Sequence, residues 1–378
     1  MTGVDETDRV VPGLCHASAR ERFARRVVCL FGLPFDSIGL SAAVERIRAA
    51  ALAGERCFVS TPNLNFLVAA RTDPGFRDSV LRSDLSLADG APIVWMARRM
   101  ALPIMERVAG ANVFDALRAH KGPPLTVFFF GGAPGVAAAA ADRLNAVPGG
   151  LRCVGFDDAG HGSVEDMSTS DRIGRINDCN ADFVVVSLGA RKGQAWIERN
   201  ASALKAPLLC HLGAVINFVA GTVSRAPAWA QRTGLEWLWR IKEEPSLWRR
   251  YWADGRCFLR LAGRAVLVGR QVQPADRSRI GPSTCHVSST SSGDDEIGLS
   301  GAWTASDLGP LRMAIADAVE QSKAVVLTMR GVTFIDSAFV GLLLLARGSL
   351  GSSRFRLQDV PDAARIFIES NGAEFLLS

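Results

Sequence analysis

The sequence predicts an α/β protein: a Rossmann-like core built on a parallel sheet, a helical basic appendage behind it, and a small α/β domain at the C-terminus. Three observations carry that prediction. Short apolar runs alternate with Ala-rich, charge-spaced segments from Arg26 onward, a basic and aromatic band follows at 223–272, and the composition breaks after Val272 before a second set of apolar runs begins. The chain has 378 residues, 48% hydrophobic and 21% charged, which suits two or three globular domains and excludes disordered, collagen-like and disulfide-stapled classes.

Residues 1–25 are polar and are expected to be disordered; early acids and the lack of an apolar core argue against a secretory signal. The core is placed at 26–222. Its runs VVCLF (from 27), CFVS (57), LSLA (85), TVFFF (126), DFVVVSL (182) and PLLCHL (207) suit strands buried on both faces. The segments between them, such as SAAVERIRAAALAG and PGVAAAAADRLNAV, are long enough for crossover helices, so a parallel sheet is the economical arrangement. Two uncharged stretches, 122–141 and 206–224, are interrupted by Gly and Pro or carry His211 and Asn217, so no transmembrane helix is expected. Residues 273–294, rich in Ser, Pro and Gly, read as a linker. The last domain, 295–378, offers a strand IGLSGAW, a helix near 307–321, the apolar AVVLTMRGVTFID, a helix AFVGLLLLARGSLG and a final strand-helix unit. Eight cysteines form no CxxC pair, so free thiols are expected, with no metal and no cofactor.

Local chemistry gathers at predicted strand ends. Thr61 and Asn63 follow the CFVS strand, where open parallel sheets bind ligands; they equally suit a helix cap, with Pro62 in the first turn. Asp89, in ADGAP after the LSLA strand, is a candidate general base or a cap. Gly131, Gly132 and Gly135 follow TVFFF, where backbone N–H groups at a helix start can meet a phosphate, although neither GxGxxG nor a P-loop Lys is present. The band at 223–272 holds nine Arg and Lys242 against four acids, with five of the eight Trp and the only Tyr, Tyr251. Within it Leu247, Trp248, Tyr251, Trp252, Phe258 and Leu259 recur at helical spacing as an apolar face, with Arg249, Arg256, Arg260 and Arg264 on another. That pattern suits a helix lying on an anionic membrane surface, or a helix with core aromatics and solvated arginines. No nucleic-acid motif accompanies it, so nucleic acid is not an expected partner.

The order of STPNLNFLVAART, ADGAPIVW, Glu106-Arg107-Val108-Ala109-Gly110, FFFGGAPG, DFVVVSLGARKGQAWIERN, AVINFVAGTVSRAP and GLEWLWRIKEEPSLWRRYW resembles the WecG/TagA/CpsF family of bacterial glycosyltransferases over about 27–255. The resemblance implies inverting transfer of a hexose or N-acetylhexosamine, ManNAc-like, from a UDP-sugar to a polyprenyl-diphosphate-linked saccharide. Such transfer serves exopolysaccharide, capsule or cell-envelope synthesis, on the inner face of the cytoplasmic membrane. It makes Asp89 the base that takes the acceptor hydroxyl proton, a role worth ~10²–10⁴ in rate, with Thr61 and Asn63 beside it. Arg107 would meet the donor diphosphate, and the three glycines would let the backbone approach the nucleotide. The family's P-K-Q-E is Arg191-Lys192-Gly193-Gln194 here, leaving Gln194 as the donor-binding amide, and Asn65 replaces an acid. Arg225, Arg240, Arg249 and Arg250 are the candidates for the acceptor diphosphate or the membrane.

Residues Val332 to Gly341, with AVVLTM before and LLLLA after, resemble the STAS domain of anti-sigma factor antagonists over 295–378. That resemblance implies a kinase or anti-sigma-type partner and phosphorylation at Ser337, while Asp336 and Ser337 also read as a simple helix cap. The alternative to an active transferase is a catalytically weakened core that works as a regulator or scaffold through the STAS domain.

Overall fold

The structure, a computed structural model, describes residues 18–243, 245–269, 282–289 and 293–378. Helix α1 (Ala19–Ala24) opens it, capped by Ser18, whose Oγ accepts the Glu21 N–H while the Glu21 carboxylate accepts the Ser18 N–H. Phe23 is fully buried, so residues 18–25, expected to be frayed, are ordered; residues 1–17 lie outside the described residues. The VVCLF run also departs from expectation. It forms strand β1 (Val27–Leu30), which pairs antiparallel with β2 (Leu33–Asp36) as a separate hairpin and does not join the main sheet.

The main unit continues as α2 (Leu40–Ala53), β3 (Cys57–Ser60), α3 (Leu64–Thr72), α4 (Pro74–Arg82), β4 (Leu85–Ser86), α5 (Ala91–Arg99), α6 (Gly110–Ala119), β5 (Leu125–Gly131) and α7 (Val136–Asn145). Then come β6 (Leu151–Asp157), α8 (Ser170–Asp178), β7 (Phe183–Ser187), α9 (Ala190–Asn200), β8 (Leu208–His211) and α10 (Val215–Ala220). Six strands form one parallel sheet in the order β4-β3-β8-β7-β5-β6. Its central strands β3, β7 and β8 are buried along their whole length, which is why they read as unbroken apolar runs. Edge strand β6 alternates with polar residues and gives no such run. Helices α2, α6 and α7 cover one face with Ile47, Phe114 and Leu144; α8 and α9 cover the other, where Trp196 stacks on Phe130 at 4.1 Å.

The appendage consists of α11 (Ala228–Thr233), α12 (Glu236–Glu243) and α13 (Trp248–Gly269). The expected division of α13 into an aromatic face and an arginine face is corrected. Phe258 and Ala262 turn inward with Asp254, whereas Trp248, Trp252 and Leu259 are 53%, 66% and 70% exposed. At about 100° per residue these three form one outer line and the exposed Arg249, Arg256 and Arg260 the line beside it. The side chain of Arg264 lies outside the described residues.

The small domain comprises β9 (Thr284–Ser289), β10 (Asp295–Trp303), α14 (Gly309–Glu320), β11 (Val325–Ile335), α15 (Ser337–Arg354), β12 (Phe355–Gln358) and α16 (Asp362–Ser370). Its sheet runs β12-β11-β10-β9, parallel except for β9. Strand β9 falls inside the segment read as linker, so the domain begins by Thr284; residues 270–281 lie outside the described residues. One apolar core joins hairpin, α3, α4, α5, α13 and this domain, running from Phe31 and Phe66 through Phe258 to Trp303 and Phe339. No described helix is long and apolar enough to cross a membrane.

Candidate active site

The C-terminal edge of the main sheet brings Thr61, Asn63, Asp89, Arg107, Arg225 and Arg240 together, and not the rest of the predicted residues. Asp89 follows β4, its own N–H donating to the Pro62 carbonyl at 3.0 Å and the Val108 N–H to the Ala88 carbonyl at 2.9 Å. The carboxylate does not cap the helix that follows it. It accepts the Gly110 N–H at 3.4 Å, at the start of α6. Burial raises its pKa to about 6, opposed first by the Arg107 guanidinium and more weakly by Gly110 and Arg240, while Glu236 pushes it further up. A carboxyl so held is mostly ionised at neutral pH and more basic than an ordinary carboxylate, as a general base needs.

Thr61 is buried, its methyl in ordinary contact range, 3.4 Å, of where a Cβ on Gly110 would stand; that Cβ would fall 2.5 Å from Leu212 Cδ2, so the glycine lets α6 close against Leu212. Asn63 is the N-cap of α3, its Oδ1 accepting the Phe66 N–H at 3.2 Å, and Pro62 precedes the cap and lies outside the first turn. Arg107 is bound by the Glu236 carboxylate at 2.6 Å, a partner on α12 that the sequence reading missed. Arg225 bonds Asp115 and Asn112 of α6. Arg225 and Arg240 thus reach this edge, whereas Arg249 lies over the Trp248 ring and Arg250 over Tyr251, beside Asp254.

The glycine loop is less open than expected. Gly131 has φ of +100° and a Cβ there would fall 2.7 Å from the Ser187 carbonyl, so the turn requires glycine. The N–H of Gly132 donates to Ser187 O at 3.1 Å and that of Gly135 to the Asp158 carboxylate at 2.8 Å. Two donors expected to meet phosphate are therefore taken, and the second Asp158 oxygen is buried with no partner among the described residues.

Gln194 is corrected as a donor-binding residue. It is 0% exposed and bridges the Ser60 and Ser79 hydroxyls at 2.9 and 3.0 Å, inside the fold. The space above Gly193 is filled by His211, whose Cδ2 would lie 2.2 Å from a Cβ at 193. The His211 ring packs on Phe66, and burial lowers its pKa, so the neutral ring donates from Nε2 to the Leu188 carbonyl at 2.6 Å. Ser337 lies far from this edge, in the small domain. Asp336 caps α15 there through Phe339, while the Ser337 hydroxyl donates to the Cys29 carbonyl.

A cavity of about 490 Å³ lies at the opposite, N-terminal edge of the sheet, lined by Arg46, Arg56 and Cys57, and holds none of the predicted residues. Among the described residues no cluster of three His, Cys, Asp or Glu side chains could hold a metal, and all seven described cysteines are free.

Residues 28–272 match the glycosyl transferase WecG/TagA/CpsF family, and residues 286–377 match the family described as Mlab, STAS domain. Among curated proteins, the chain is 28% identical over 196 residues to the N-acetylglucosaminyldiphosphoundecaprenol N-acetyl-beta-D-mannosaminyltransferase of Bacillus spizizenii, covering 51% of this chain and 74% of that one. Proteins of the same name from Bacillus subtilis (27% identity; 51% of this chain, 73% of the relative) and Staphylococcus aureus (24%; 59% and 87%) are similar.

Proposed function

This chain belongs to the WecG/TagA/CpsF family of glycosyltransferases, with a STAS domain behind the transferase, and from that premise we propose the reaction it performs. It moves an N-acetylmannosamine-like sugar from a UDP-sugar to a polyprenyl-diphosphate-linked saccharide, with inversion, in the synthesis of an envelope or extracellular polysaccharide. The observation that carries this reading is the Asp89 carboxylate, partly buried at the sheet's C-terminal edge and flanked by Arg107 and Arg240. Asp89 takes the proton from the acceptor hydroxyl as its oxygen forms the bond to the anomeric carbon and the UDP oxygen leaves with the electron pair. Arg107 meets the donor diphosphate once Glu236 gives way, and the unpartnered Asp158 oxygen suits a ribose hydroxyl. Arg225 and Arg240 address the acceptor diphosphate, and the Trp and Arg lines of α13 rest on the anionic membrane surface that carries it.

The test is Asp89→Asn, assayed with UDP-sugar and a lipid-linked acceptor. Transfer falls ~10²–10⁴-fold while UDP-sugar binding persists; transfer at the unmutated rate would remove Asp89 from the chemistry.

A further inference from the structure

The face of the STAS domain that carries Ser337 is already covered. Ser337 is 6% exposed, and its hydroxyl donates to the Cys29 carbonyl of hairpin β1–β2 at 2.6 Å. One turn along α15, a Cβ on Gly341 would lie 2.7 Å from the Val27 carbonyl, and at Gly348 it would lie 2.5 Å from that of Leu81 in α4. Polar contacts ring this apposition. Arg312 of α14 donates to the Phe23 and Arg25 carbonyls, Arg22 donates to the Ser349 hydroxyl at 2.8 Å, and Arg77 lies over the Phe375 ring at 3.8 Å. The tip of the hairpin faces the appendage: Phe31 meets Phe258 of α13 edge-on at 6.0 Å, and α16 packs along α13 as well.

We infer that the Ser337 face of the STAS domain is an intramolecular docking surface, that its partner is this chain's own hairpin Val27–Asp36, and that docking holds the basic helix α13 in place. Cys29 offers Ser337 only a carbonyl oxygen. A negative charge at 337 would face that oxygen across a buried contact, in place of the hydroxyl that now donates to it. At the first turn of α15 the same charge favours the helix, so its effect falls on the interface and spares the domain. The inference stands on these contacts and holds whichever sugar or acceptor the transferase uses.

Hydrogen exchange by mass spectrometry on the full chain tests it, without substrate or lipid, in wild type, Ser337→Ala, Ser337→Asp and Gly341→Leu. Exchange in 27–36 and in 248–262 should rise roughly tenfold or more in the Asp and Leu variants and much less in the Ala variant, with β3, β7 and β8 unchanged. Wild-type exchange in the hairpin of Ser337→Asp would overturn the docking surface. Release of the hairpin with α13 still protected would overturn the link to α13. Gly341→Leu opens the same contact from a different atom, so a variant that fails to fold leaves the other to decide.

Discussion

Asp89 has three arginines, Arg107, Arg225 and Arg240, and one acid, Glu236, for company, and that balance sets how the site responds to pH. With its pKa near 6, the base is lost to protonation on the acid side. The rate, read as kcat/KM, should fall about tenfold per unit below pH 6 and level off above about 7. Glu236→Gln removes the charge that raises Asp89 and frees Arg107, so the acid limb should move to lower pH and the KM for the UDP-sugar should drop. The same shift has a cost in stability: a carboxyl with a raised folded-state pKa favours the fold below its ordinary pKa and loses that favour as pH rises through 6. Asp89→Asn should therefore melt higher than wild type at pH 8, with the gap closing toward pH 4. At position 193 the prediction concerns shape. Gly193→Gln drives a side chain into the His211 ring and should destabilise by ~1–3 kcal/mol, seen as a lower melting temperature, whereas Gly193→Gln with His211→Gly relieves the clash. Asp89, Thr61 and Arg107 were legible because each follows a recognisable strand or lies in a short ordered motif. Glu236, Asp158 and His211 were not, because their roles exist only through partners such as Arg107, which is 129 residues from Glu236.

Among the elements, α13 shows how a helical period can be right and its facing wrong. Large apolar residues at 248, 252, 258 and 259 do recur on one side of a wheel, yet the contact of Phe258 with Phe31 and Trp95 rotates the helix so that Trp248, Trp252 and Leu259 look outward. Spacing alone cannot choose between two orientations separated by a quarter turn; packing does. The outward arrangement places arginines beside the exposed apolar line; on the proposed anionic membrane surface their stems would lie along it and their heads would reach anionic groups. Each of Arg249, Arg256 and Arg260 should then contribute about 1 kcal/mol to binding of anionic vesicles. Replacing all three by Gln should abolish flotation at physiological salt, and Trp252→Ala should weaken it at any salt. Strand β1 failed in another way. VVCLF has the composition of a buried central strand, and it is buried, but by α15 and not by a neighbouring parallel strand.

Across the whole molecule, the two units share one core, from Phe66 through Leu30 and Phe258 to Phe339. The hairpin between them is bound to the transferase by Asp36, which accepts the Ser86 N–H at 2.7 Å, and by Arg25, which pairs with Asp36 at 2.6 Å, nearly solvent-free, and donates to the Ser83 carbonyl at 2.7 Å. Arg25→Met should cost ~3–5 kcal/mol by leaving Asp36 uncompensated. Calorimetry of the full chain should show a single cooperative transition, where independent domains would give two. The existence and order of both units were legible in their strands and motifs, but their union was not: Ser337 and Cys29 lie 308 residues apart, and neither sequence segment names the other. Only fourteen residues separate Gly269 from Thr284, so the STAS domain never leaves the neighbourhood of its hairpin. A tether of that length keeps an effective local concentration in the millimolar range. A soluble protein present at about micromolar concentration must bind the Ser337 face roughly a thousandfold more tightly than the hairpin does to displace it. Competition from outside is thus a poor way to open this face, and a change in the face's own chemistry is a far more economical one.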